Sequence, residues 1–116
     1  VTASWVPYAL YYIRRIRSKA MERAGAVSSV AGSLDYDVGA DVLAKNHIYV
    51  ACFVDEDLPY IMEQTGEDNL LIGSDFVHHD HATELDYISA LKARGDLTPT
   101  QVRKITEDNP RAFYAL

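Results

Sequence analysis

One cysteine, Cys52, is all the chain holds, so no internal disulfide can brace it and nothing points to a secreted, disulfide-built fold. Long apolar runs are missing too. None approaches the roughly 18 residues of a membrane-spanning helix and no signal peptide is expected, which makes a soluble, cytoplasmic chain with no membrane partner the expectation. Positive charge is scarce: 11 Lys and Arg stand against 17 Asp and Glu, for a net charge of −6 and a pI near 5.0. That argues against a nucleic-acid partner, which calls for a basic face. The one basic cluster, Arg14, Arg15, Arg17, Lys19 and Arg23, reads as a solvated helix face before it reads as a binding patch. There is no Gly-rich phosphate loop, no CxxC and no Ser/His/Asp spacing. Gly73-Ser74-Asp75 lacks the second glycine of a nucleophile elbow.

What is present suffices for one core. The 116 residues are 48% hydrophobic, the size of a single domain without repeats or linkers. Ser4 suits an N-cap and Pro7 a first helical turn. Val6, Leu10, Ile13, Ile16 and Ala20 then recur at helical spacing, predicting an amphipathic helix from Trp5 to Ala24 that Gly25 stops, with Tyr8, Tyr11 and Tyr12 as a packing flank. Residues 25–46 read as loop, with a short helix at Ala40 to Lys45. His47 to Val54 is β-branched and aromatic and reads as a strand. Asp57 caps a helix with Pro59 near its first turn, Gly66 closes it, and a strand from Leu70 to Asp75 follows. Short connections make this a parallel, right-handed strand–helix–strand unit. A helix from Ala82 to Arg94 would pack through Leu85, Ile88 and Leu91, with Lys92 and Arg94 suiting its dipole and Gly95 ending it. Thr98-Pro99-Thr100-Gln101 has the form of a capping box ahead of Val102 and Ile105, and Asn109-Pro110 opens a last short helix bearing Ala112, Phe113 and Leu116.

The chemistry gathers after the second strand. Asp75 emerges at its C-terminal end, where ligands collect in parallel α/β sheets. A carboxylate there is costly unless it is paired, hydrogen-bonded or bound to a cation, so it is either a site residue or a structural cap. His78, His79 and His81 follow. His79 and His81 have the H-x-H form of a metal pair, but in a loop they do not share a strand face, and solvated loop histidines are the alternative. His47 begins a strand with no partner in view and reads as structural. Cys52 reads as a small buried hydrophobe.

The block Asn69-Leu70-Leu71-Ile72-Gly73-Ser74-Asp75-Phe76-Val77-His78-His79-Asp80, followed by Asn109-Pro110-Arg111-Ala112-Phe113-Tyr114-Ala115-Leu116, resembles the C-terminal end of the amidohydrolase-related family. These are metal-dependent TIM-barrel hydrolases and decarboxylases, the group that includes aminocarboxymuconate-semialdehyde decarboxylase. Ser4 to Leu10 is similar to the stretch after the family's strand six, and Asn46 to Val50 to its strand seven. Val77 stands where the family usually has proline.

The resemblance implies an α/β fold in which residues 1–116 are a single C-terminal segment of a (β/α)8 barrel, from helix six to the closing helices. A barrel takes about 250 residues, so the strand before Val1 and the other metal ligands are expected outside this chain. The resemblance makes Asp75 a metal ligand and proton-transfer group and His78 a substrate-binding neighbour. It implies a divalent metal (zinc first, manganese or another as alternatives) and a small-molecule substrate that is hydrolysed or decarboxylated. The partner would be the N-terminal part of the barrel, or another copy through self-association. The alternative is a non-catalytic fragment that binds metal through the histidines or serves in assembly.

Overall fold

The computed structural model describes residues 2–24, 38–75 and 86–116. Within them the chain runs α1 (Trp5–Ala24), α2 (Val42–Lys45), β1 (Val50–Cys52), α3 (Leu58–Thr65), β2 (Leu70–Ile72), α4 (Tyr87–Ala93), α5 (Pro99–Arg103), a π-helical turn (Lys104–Asp108) and α6 (Asn109–Tyr114). The two strands pair in parallel, Val50 with Leu70, Ala51 with Leu71 and Cys52 with Ile72, and α3 makes the crossover. The α/β reading holds, and so does the strand–helix–strand unit.

Local chemistry sets the helix limits. Asp57 caps α3 by accepting the Tyr60 N–H at 3.2 Å, and Gly66 closes it at φ 78 with its N–H on the Met62 carbonyl. A β-carbon at that φ would be strained, so the residue is glycine. Thr98 and Gln101 form the reciprocal capping box at the start of α5. The run from α5 to α6 widens into the π turn just before Pro110. Proline has no N–H for the carbonyl four residues back and its ring crowds that carbonyl, so the ladder breaks there.

The core is assembled from the strands, the inner faces of α3 and α4, and the α5–π segment. Leu58, Ile61, Leu70, Leu91 and Ile105 are fully buried, each contributing about 1.5–3 kcal/mol. Val6 and Leu10 join it where α1 packs on α3. Two buried asparagines fix the strand starts. Asn69 donates to the Ile48 carbonyl at 2.8 Å, and Asn109, at the head of α6, donates to the carbonyls of Glu67 at 2.8 Å and Leu70 at 2.9 Å.

Several expectations are corrected. The strands are Val50–Cys52 and Leu70–Ile72, shorter than the runs from His47 to Val54 and Leu70 to Asp75, because parallel pairing ends where Gly73 and the Val54 turn leave the ladder. Ile13 and Ile16 of the expected core face of α1 are exposed, as are Tyr8, Tyr11 and Tyr12, because no described element covers that side. Ile88 is exposed on α4, whose inner face is Tyr87 and Leu91. Phe113 and Leu116 are also exposed. Gly25, the loop over 25–37 and Ala82 to Leu85 lie outside the described residues. Among the described residues no helix is long and apolar enough to cross a membrane.

Candidate active-site edge

Both strands run the same way, so their C-terminal ends share one edge of the sheet, and the chain leaves β1 through Phe53 to Asp57 and β2 through Gly73 to Asp75. Gly73 lets the second exit run close to the first. A β-carbon there would sit 3.0 Å from the Ala51 Cβ and 3.4 Å from the Cys52 carbonyl oxygen. Asp75 then turns into the left-handed region at φ 51, which Asp tolerates better than most residues, and it is half-buried. The edge therefore ends at the residue that the sequence singled out.

Beneath it the site is neutral. Tyr87 reaches back from the start of α4 and donates its hydroxyl to the Cys52 carbonyl at 2.6 Å, with the Cys52 sulfur 3.4 Å away. Burial pushes the thiol up from its ordinary 9.0 to about 11, while the Tyr87 hydrogen bond pulls the other way. Burial, first, and then the neighbouring thiol push the Tyr87 hydroxyl well above its ordinary range. Neither group ionises at neutral pH, so neither serves as nucleophile or base there. The reading of Cys52 as a small buried hydrophobe stands.

The β1 exit loop is pinned from two sides. Glu56, 8% exposed, accepts hydrogen bonds at Oε2 from the N–H groups of Ala3 (3.0 Å) and Phe53 (2.7 Å). Its Oε1 accepts from the Ser4 N–H (2.7 Å) and the Ser4 hydroxyl (2.5 Å). Burial of this carboxylate is offset by four donors. It also ties the residues just ahead of α1 to the end of β1. From the other side Arg94 donates Nη1 to the carbonyls of Val54 (2.6 Å) and Glu56 (2.7 Å), while its Nε and Nη2 hold Asp96 in a two-pronged pair. The Asp96 hydrogen bond chiefly holds the guanidinium charged, and the same bond keeps the Asp96 carboxyl below its usual range.

Glu56, Tyr87 and Arg94 were not singled out from the sequence as parts of this edge. Glu56 falls between the expected strand end at Val54 and the Asp57 cap, and Arg94 is assigned to the helix dipole. The only local sign was the four-residue spacing of Tyr87 and Leu91, which places both on the buried side of α4. His47 lies at the other end of β1, exposed and at φ 53, away from this edge. His78, His79 and His81 lie outside the described residues. Among the described residues no three of His, Cys, Asp and Glu converge. Asp75 is thus a single donor, short of the three protein ligands usual for a catalytic metal, and the described residues do not by themselves fit a metal ion.

The family model described as amidohydrolase matches residues 31–116, which take in both strands and all of the edge except Ala3 and Ser4. No curated protein and no solved structure matches the chain.

Proposed function

The chain belongs to the amidohydrolase family, and we propose that it supplies the C-terminal part of a (β/α)8 barrel of the decarboxylase-like branch, acting on a small carboxylated or cyclic substrate. The observation that carries this reading is Asp75, set by a left-handed turn at the C-terminal end of a parallel strand. In such barrels that edge is where chemistry is done. The two strands have only each other as neighbours among the described residues. Their outer edges, and the exposed Ile13 and Ile16 beside the buried face of α1, suit further strands and helices of the same barrel.

In this reading Asp75 is the chain's ligand to a divalent ion, zinc first, or the group that takes and returns a proton at its Oδ atoms during hydrolysis or non-oxidative decarboxylation. A divalent ion would supply Lewis acidity, and its remaining ligands lie beyond the described residues. His78 stands as the substrate-binding neighbour. The protein's own contribution is orientation: the Glu56 and Arg94 bonds hold the β1 loop, and the close pass at Gly73 holds the exit to Asp75 against it.

The test is Asp75→Asn in the intact enzyme, assayed on a panel of small cyclic amides, lactones and carboxylic acids. Turnover should fall at least 1,000-fold, on the order of a lost catalytic proton-transfer group, with an unchanged circular dichroism spectrum. Retained turnover contradicts the assignment.

A further inference from the structure

The longest helix, α1, carries a second pattern that the barrel does not absorb. Val6 and Leu10 are buried against α3. Tyr8 lies two positions from each, and residues two apart on a helix point in nearly opposite directions. Tyr8 is accordingly 69% exposed. Tyr12, Arg15 and Lys19 follow Tyr8 at helical spacing, so the four side chains form one stripe on the outward side, and all four are exposed. The rings of Tyr8 and Tyr12 already stack, with centroids 6.3 Å apart and planes 16° apart. The stripe changes character along its length: aromatic faces occupy the N-terminal half and cations the C-terminal half.

We propose that this stripe is an interface for a second copy of the chain, with α1 docked on α1 in antiparallel sense. Positions 8 and 19, and positions 12 and 15, are equally far from a point between residues 13 and 14. A two-fold axis through that point brings Tyr8 against Lys19 of the partner subunit, and Tyr12 against Arg15 of the partner subunit. Each copy thus offers two ring faces to two cations and receives the same in return, the self-complementarity a two-fold contact needs. Tyrosine and arginine are also the side chains enriched in such contacts. A parallel arrangement would set Arg15 on Arg15 and Lys19 on Lys19, which repel. Ile13 lies about 100° or more around the helix from every member of the stripe, on the side left for a completed barrel, while Ile16 flanks the stripe.

Sedimentation equilibrium of the full chain reads the association directly. Dimer is the expected state, and Lys19→Glu, an exposed change that leaves the core untouched, should weaken it about tenfold or more by opposing two ring faces with a negative charge. The double variant Tyr8→Cys/Lys19→Cys should form a dimer closed by two disulfides on oxidation. Its own two cysteines lie about 16 Å apart along one helix, too far to bridge within a chain, and Cys52 is buried. Tyr8→Cys alone should stay uncross-linked, because antiparallel copies hold like positions about 16 Å apart along the axis. A monomer, a dimer indifferent to Lys19→Glu, or efficient cross-linking of Tyr8→Cys alone overturns the proposal. An intact enzyme that is monomeric and loses turnover on Asp75→Asn overturns this proposal and leaves the barrel reading standing, whereas an intact enzyme that is dimeric and keeps its turnover on Asp75→Asn removes that reading and leaves this one.

Discussion

Replacing Glu56 with glutamine changes one oxygen into an amide nitrogen and little else in shape, which makes it a direct measure of how the edge is held. Each carboxylate oxygen serves two donors: Oε1 the N–H and hydroxyl of Ser4, Oε2 the N–H groups of Ala3 and Phe53. Glutamine keeps one acceptor. Turned toward Ala3 and Phe53, that oxygen preserves their bonds. The Ser4 hydroxyl can rotate to accept from the new amide, and the Ser4 N–H is left facing a donor. Turned the other way, two backbone N–H groups are orphaned, so the first orientation wins. The loss is then one charged bond outright, the weakening of three others to neutral strength, and a partly buried orphan donor, together about 2–4 kcal/mol. With an m-value of about 1–3 kcal/mol/M for a chain this size, the urea midpoint should drop by roughly 1–2 M at unchanged slope. Glu63→Gln, exposed on α3, is the control and should be nearly silent. A Glu56→Gln midpoint indistinguishable from the parent would refute the claim that the carboxylate ties α1 to β1.

Two further predictions concern the same edge. Gly73→Ala should destabilise by about 1–2 kcal/mol through its 3.0 Å contact with the Ala51 side chain. Adding Ala51→Gly should then cost less than the sum of the two single changes in denaturant titrations; strict additivity would show that the strands do not meet there. Stability should also fall in alkali. The Cys52 thiol titrates near 9.0 when unfolded and at about 11 when folded, so between those values the native state holds the extra proton. Its stabilising contribution is intact below pH 9 and is lost as pH rises to 11, up to about 3 kcal/mol, with Tyr87 acting in the same direction. Cys52→Ser, with its ordinary hydroxyl, should flatten that decline, and a slope unchanged by the substitution speaks against the assignment.

The parts of the fold that were legible from sequence are those whose cause is local. Helix α1 runs from Trp5 to Ala24 as its periodicity indicates, and the Asp57 cap, the Gly66 stop and the Thr98–Gln101 box were each written in a few adjacent residues. What was not legible depends on partners far along the chain. Glu56 is read correctly only beside Ala3 and Ser4, more than 50 positions away, and Arg94 only beside the carbonyls of Val54 and Glu56. The strands were read too long because side-chain propensity extends past the point where a neighbour is there to pair. Periodicity likewise marked Ile13 and Ile16 as apolar but could not say whether this segment covers them. Asp75 stands out because a charged residue after an apolar strand is conspicuous in one dimension, whereas its left-handed backbone is not.

Asn109 has a bearing on how the chain comes to be folded during synthesis. The carbonyls of Glu67 and Leu70 wait for a donor that is made 42 and 39 residues later. While the ribosome is still adding those residues, the head of β2 has only water to satisfy it, and the small sheet lacks its clasp. A residue made well after both strands therefore decides when those strands lock, and a nascent chain that ends between Leu70 and Asn109 should hold an open, protease-sensitive sheet.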